Sequence, residues 1–165
     1  MDRQKSIDLL NKAVADEITA LHQYMYFHFL CDDLGYDLLA GLFKRTAIEE
    51  MIHVEKLAER ILFLKGDVKM DVKDPVKTET DVKKMLEMAA GMEEQSAHDY
   101  NRMAMECAQN ADSKSKQLFE ELVGDEERHF DQYDTELDNL ARFGKDYLAL
   151  QSIERSKNRG AGEAE

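Results

Sequence analysis

Three polar residues on apolar helical stripes are repeated in this chain at a fixed shift. Glu17, Glu50 and His53 are followed 76 residues later by Glu93, Glu126 and His129. Within each set the glutamates are 33 residues apart, and the histidine stands three after the second glutamate. Each lies on a stripe with the alternating three- and four-residue steps of a helix face packed on other helices. The stripes run Ile7, Leu10, Val14, Glu17, Leu21, Tyr24, His28; then Leu39, Phe43, Thr46, Glu50, His53, Leu57; then Val82, Leu86, Ala89, Glu93, Ala97, Tyr100, Ala104, Cys107; then Phe119, Leu122, Glu126, His129, Tyr133, Leu140. Glu49, Glu94 and Asp125 fall on neighbouring stripes shared with charged residues and read as largely solvated.

Caps and glycine stops divide the chain into four long helices, at 3–34, 37–65, 81–110 and 113–143, and a short fifth at 146–156. Residues 1–156 read as one domain, and the tail 157–165, KNRGAGEAE, as disordered. The breaks around Gly35 and around Ala111 and Asp112 are short, which makes antiparallel hairpins. The segment between the second and third helices lacks apolar periodicity and holds Pro75. About 14 extended residues span about 45 Å, and a helix of about 29 residues is about 43 Å long. That segment therefore reaches from one end of a bundle to the other. The expected architecture is all-α: a ferritin-like four-helix bundle with a long crossover between helices two and three and a short fifth helix. In each hairpin the two glutamates sit at similar distances from the turn, so all six polar residues meet at mid-bundle.

Composition agrees and excludes other classes. One proline, no tryptophan and 43% hydrophobic residues fit long helices. A net charge of −13 disfavours nucleic acid and anionic membranes as partners and attracts cations. No apolar run approaches the roughly 18 residues of a membrane helix, and the start of the chain lacks a signal-peptide core. Two cysteines make no disulfide framework; Cys31 and Cys107 point to opposite ends and read as buried thiols. A cytoplasmic location is expected.

Four carboxylates in an apolar core must be protonated or compensated, because an unpaired buried charge costs several kcal/mol. Two divalent cations would neutralise four carboxylates, and mixed oxygen and imidazole ligation suits iron or manganese and tolerates zinc. Two Glu-x-x-His pairs plus one further Glu from each remaining helix form the carboxylate-bridged dimetal pattern. Glu50 and Glu126 are then the bridging candidates, with Glu17 and His53, and Glu93 and His129, completing the two shells. The plain alternative is a structural polar core. One Glu-x-x-His pair signals little; two pairs with matched spacing signal much.

The chain resembles the bacterioferritins over nearly its whole length, through ALHQYMYFH, IEEMIHVEKLAERILFLKG, VGDEERHFDQYDTELDNL and FGKDYLALQ. The resemblance implies a homo-oligomer of 24 subunits built from dimers and enclosing a cavity. It implies a ferroxidase centre of two irons per subunit on Glu17, Glu50, His53, Glu93, Glu126 and His129. Fe(II) would be oxidised by oxygen or peroxide and stored as ferric mineral, with a ferredoxin-type electron donor for iron release. Met51 matches the methionine that binds haem b across the dimer two-fold. It lies on the stripe Ala47, Met51, Val54, Ala58, expected to face outward; the plain alternative is a methionine filling an interface gap. Lys44 stands near the expected haem edge. The family often has a histidine and an aspartate as an inner-surface iron site where this chain has Arg45 and Glu49, and a guanidinium does not ligate iron.

Several residues stand around the six. Tyr24 and Tyr100 are related by the same shift and lie about 10 Å along the axis from Glu17 and Glu93. They are either core aromatics or partners of the glutamates, with radical transfer a further role for Tyr24. Asp125 and Glu49 are placed to orient the histidines. His28 reads as a bundle-end residue, and His22 and His98 as solvated. The competing function is a non-storage di-iron peroxidase or oxidase of rubrerythrin type, though the chain has no Cys-x-x-Cys pair. A DNA-protecting mini-ferritin fits less well, since those bind iron between subunits.

Overall fold

Aspartates open three of the helices by accepting from backbone N–H groups of the first turn. Asp2 accepts from Gln4 and Lys5, Asp81 from Lys84, and Asp112 from Ser115. The structure, a computed structural model, describes residues 1–162, with side chains as far as Ile153. Its helices are α1 (Arg3–Asp33), α2 (Asp37–Phe63), α3 (Val82–Gln109), α4 (Ser113–Phe143) and α5 (Lys145–Gly162). There is no strand among the described residues. The expected boundaries hold within two residues for the four long helices. The fifth is longer than expected and continues through 157–162, while 163–165 lie outside the described residues.

The helix ends explain where the chain turns. Gly35 takes φ +80 after α1, a left-handed backbone that suits glycine. At the end of α2 the left-handed residue is Lys65, at φ +67, and Gly66 follows it. Gly66 serves another need. A Cβ there would lie 2.8 Å from Ile7, so the α2 end closes onto the start of α1 only without a side chain. Ala111 takes φ +56 between α3 and α4, where Gly35 stands in the first hairpin.

The crossover runs along α1. Asn11 bonds Asp67 O and Lys69 N, Thr19 accepts from Lys73 N, and Gln23 bonds Lys77 at both N and O. These pairs advance together, so the segment carries the chain from the α2 end back to the α2 start, and α2 and α3 are parallel as expected.

Two apolar cores result. One holds Ile7, Leu10 and Val14 of α1 with Leu57 and Ile61 of α2, Tyr100 and Cys107 of α3, and Phe119 and Leu122 of α4. The other holds Tyr24, Phe27 and Cys31 with Leu39 and Phe43, Met85 and Leu86, and Tyr133. Each fully buried large side chain among them contributes about 1.5–3 kcal/mol. The glutamates and histidines form the polar layer between the two.

Candidate metal centre

Each of the four long helices brings its polar residues to the same height, because each glutamate interrupts a seam whose neighbours are locked in the two cores. Glu17, Glu50, His53, Glu93, Glu126 and His129 are all buried, none more than 2% exposed. They fall into two overlapping groups: Glu17, Glu50, His53 and Glu126, and Glu50, Glu93, Glu126 and His129. In each group one ligand atom per residue lies within 4.8 Å of all the others. Glu50 and Glu126 belong to both groups, the position a bridging carboxylate requires.

The histidines point Nδ1 inward. His53 Nδ1 lies 3.3 Å from Glu17, 3.0 Å from Glu50 and 3.3 Å from Glu126. His129 Nδ1 lies 3.2 Å from Glu50, 3.6 Å from Glu93 and 3.7 Å from Glu126. Both Glu50 oxygens, Glu126 Oε1 and His129 Nδ1 are buried without a hydrogen-bond partner. Orphaned polar atoms converging on one point are costly in a core. The donor set of oxygens and imidazole nitrogens fits two hard or borderline cations.

The electrostatics show what a cation would replace. Burial, with the charges of Glu50 and Glu126 beside it, pushes the Glu17 carboxyl well above its usual range. Burial and the Glu50 charge do the same to Glu93. Burial disfavours charge on His53, yet the surrounding Glu126, Glu17 and Glu50 outweigh it and raise its pKa to about 12. His129 is likewise raised by Glu126, Glu50 and Glu93 against the effect of burial. Burial also opposes charge on Glu126, but it is held low by contacts with Glu93 and the two histidines. These shifts favour protons on Glu17, Glu93 and both histidines when no metal is bound, and entering cations would displace them.

Four surrounding residues reach the cluster by hydrogen bonds that cross between the hairpins. Tyr24 donates to Glu93 Oε1 and Tyr100 to Glu17 Oε1, each at 2.5 Å. Each tyrosine serves the glutamate of the other hairpin. Side chains on a helix lean toward its N-terminus, which brings each hydroxyl back to the height of the glutamates. Asp125 Oδ2 lies 3.2 Å from His53 Nε2, and Glu49 Oε2 lies 2.8 Å from His129 Nε2. The spacing did not reveal Arg128, which donates to both Glu49 and Asp125. Its only signal was a position three after Asp125.

Other residues lie apart from the cluster. Met51 follows Glu50 but is 52% exposed on the outer side of α2. The stripe expected around it is corrected: Ala47 and Val54 are buried in the cores, because the seam with α1 reaches further round α2 than the spacing suggested. The exposed apolar neighbours of Met51 are Ile48 and Ile52. Arg45 and Lys44 are exposed. His28 Nδ1 sits 2.9 Å from Ala40 O at the bundle end, and His22 and His98 are exposed. Cys31 and Cys107 are free, buried and in opposite cores. Burial pushes their thiols up to about 12 and about 11, which leaves them unreactive. No helix among the described residues is long and apolar enough to cross a membrane.

Comparison with known proteins agrees with this geometry. Residues 7–143 match the family model for the ferritin-like domain. The chain is 37% identical to a bacterioferritin of Brucella melitensis over 142 residues, covering 86% of this chain and 88% of that one. It is 35% identical to a bacterioferritin of Desulfovibrio desulfuricans over 147 residues, covering 89% and 82%. An X-ray structure of Desulfovibrio desulfuricans bacterioferritin, determined to follow its diiron site through different catalytic states, superposes with a TM-score of 0.89 at 34% identity, covering 91% of this chain and 88% of that one. By sequence over most of its length, and by the course of its helices, this chain belongs to the bacterioferritin family.

Proposed function

We propose that the chain is an iron-storage ferroxidase, oxidising Fe(II) inside the bundle and storing the ferric product in the cavity of a multi-subunit shell. The observation that carries this reading is the pair of four-residue groups sharing Glu50 and Glu126. Ferrous ions are substrate here, and a pair of them supplies two electrons to oxygen or peroxide. Glu17 and His53 would hold one ion and Glu93 and His129 the other, with Glu50 and Glu126 between them. Tyr24 and Tyr100 hold one oxygen of Glu93 and of Glu17 in place. That leaves the second oxygen of each aimed inward. Asp125 and Glu49 accept at the outer histidine nitrogens, which keeps each Nδ1 turned to the centre. The two apolar cores keep bulk water from the layer above and below.

The reading extends to assembly. A shell of 24 subunits built from dimers, with haem b on Met51 at the dimer two-fold, is supported by the exposed thioether and its apolar neighbours Ile48 and Ile52. Haem there would carry electrons, with a ferredoxin-type protein as donor for iron release, and Lys44 is placed to meet a propionate. The cell compartment proposed is the cytoplasm. Anaerobic titration with Fe(II), followed by an oxygen pulse and absorbance, tests the core of the reading. Rapid oxidation that saturates at two irons per chain is expected; oxidation no faster than in buffer overturns it.

A further inference from the structure

Both imidazoles rest on carboxylates outside the ligand set, and one atom joins those carboxylates. Asp125 supports His53 and Glu49 supports His129, each acid serving the histidine of the other hairpin. The two acids are counterparts under the 76-residue shift. Arg128 Nη2 donates to Glu49 Oε2 at 2.6 Å and to Asp125 Oδ1 at 2.9 Å. Arg128 has no such counterpart, because the matching position is Ile52. A single cation thus serves both halves of an otherwise duplicated site.

Resting on the dimetal reading above, we propose that Arg128 is a positioning residue, a guanidinium bridge that fixes Glu49 and Asp125 and through them aims both histidines. Without it, two like charges about a third exposed face each other and each is free to turn to water. Each Nε2–H then loses a fixed acceptor, and each ring loses the contact that holds its orientation. A carboxylate behind a metal-binding imidazole also makes it a stronger donor, so Arg128 sets donor strength on both sides at once. Arginine suits this place because its charge is permanent and its planar fork meets carboxylates in a fixed geometry. Lys56 is no substitute: its Nζ lies 3.9 Å from Asp125 alone. The Arg128 side chain is 44% exposed, so replacing it opens no cavity in the core.

Anaerobic Co(II) titration of the assembled chain reads stoichiometry, affinity and ligand-field absorption without turnover. The unaltered protein is expected to take two Co(II) per chain. Arg128→Gln is expected to take two as well, about tenfold more weakly and with shifted d–d bands. Arg128→Lys restores the charge without the planar fork and is expected to recover part of the loss. In a chain already carrying Glu49→Gln and Asp125→Asn, adding Arg128→Gln is expected to cost nothing further, since its partners are gone. An Arg128→Gln protein with unaltered affinity and spectrum overturns the proposal and leaves the dimetal reading standing. So does a Lys variant no better than the Gln one, or a further loss when Arg128→Gln is added to the Glu49→Gln, Asp125→Asn chain, because either assigns the effect to α4 packing. If the unaltered chain takes no pair of Co(II) ions, the dimetal reading fails, and the proposal with it.

Discussion

The two hairpins, α1 with α2 and α3 with α4, match inside and differ outside. Inside, the 76-residue shift relates Glu17 to Glu93, Glu50 to Glu126, His53 to His129, Tyr24 to Tyr100, Phe43 to Phe119 and Cys31 to Cys107, and all of these are buried. Outside, α2 carries Ile48, Met51, Ile52, Leu62 and Phe63 where α4 carries Gly124, Glu127, Arg128, Asp138 and Asn139. The five α2 residues are exposed in the single chain, Phe63 to 72%. The interior is constrained by one polar layer that both hairpins complete, so a change on one side disturbs the other. The outer faces share no such centre. An apolar patch on α2 is what a surface meant for another subunit looks like, whereas on α4 Glu127 and Asp138 stand in solvent and Arg128 bridges Glu49 and Asp125.

The strongest way to break the comparison is to remove the shared ligands one at a time. Glu50→Ala and Glu126→Ala are each expected to slow initial Fe(II) oxidation by about 100-fold or more, since changes merely behind a ligand cost about 10–100-fold. Stopped-flow absorbance reads the rates. Equal losses keep the halves equivalent; a large loss in one variant alone would show that the internal two-fold is not functional.

Transplanting α4 identities onto α2 tests the outer difference. Met51→Glu and Ile52→Arg are each expected to destabilise subunit pairing by about 3–5 kcal/mol, the cost of a buried unpaired charge. Sedimentation would show smaller particles. Met51→Leu is expected to leave assembly intact and to abolish the low-spin haem spectrum after haem loading.

The turns differ as well. Asp112 accepts from Arg60 at 2.6 Å and from Ser115, whereas the matching Tyr36 makes no side-chain cap. Burial works against the Asp112 charge, but Ser115, Ser6 and Arg60 hold its carboxyl below the usual range. A depressed folded-state pKa contributes stability above the unfolded value, near pH 4, and loses it as pH falls through the folded value. Asp112→Asn is therefore expected to cost about 1.5–3 kcal/mol near neutrality, with the deficit closing below about pH 4. Denaturant unfolding at pH 6 and pH 3 measures it. A deficit that does not change with pH would assign the effect to shape.

The smallest effect belongs to the left-handed turn residues. Ala111→Gly removes a backbone strain of about 1–2 kcal/mol, partly offset by the freer unfolded chain. A net gain of about 0.5–1 kcal/mol is expected, visible as a raised Tm. Gly35→Ala is expected to lose a similar amount.

The helices, their order, the crossover and the six converging polar residues were all readable from the chain. Periodicity placed each residue on a face, and the distance from each turn set its height. Helical geometry is local, so residue number converts directly into position along a bundle axis. The contacts across helices were harder to read. Tyr24 and Tyr100 stood about 10 Å along the axis from Glu17 and Glu93, and both the return of their hydroxyls to that height and their crossed pairing depend on how side chains lean in the assembled bundle. Ala47 and Val54 were placed outward by spacing and are covered, because the width of a buried seam depends on how closely the neighbouring helix approaches. Arg128 looked like a solvated charge until α2 brought Glu49 beside it. The sequence by itself determined which residues share a face and a height, since both follow from the rise and twist of one helix. The tertiary structure alone decided who meets whom between helices, since that depends on packing among residues distant in the chain.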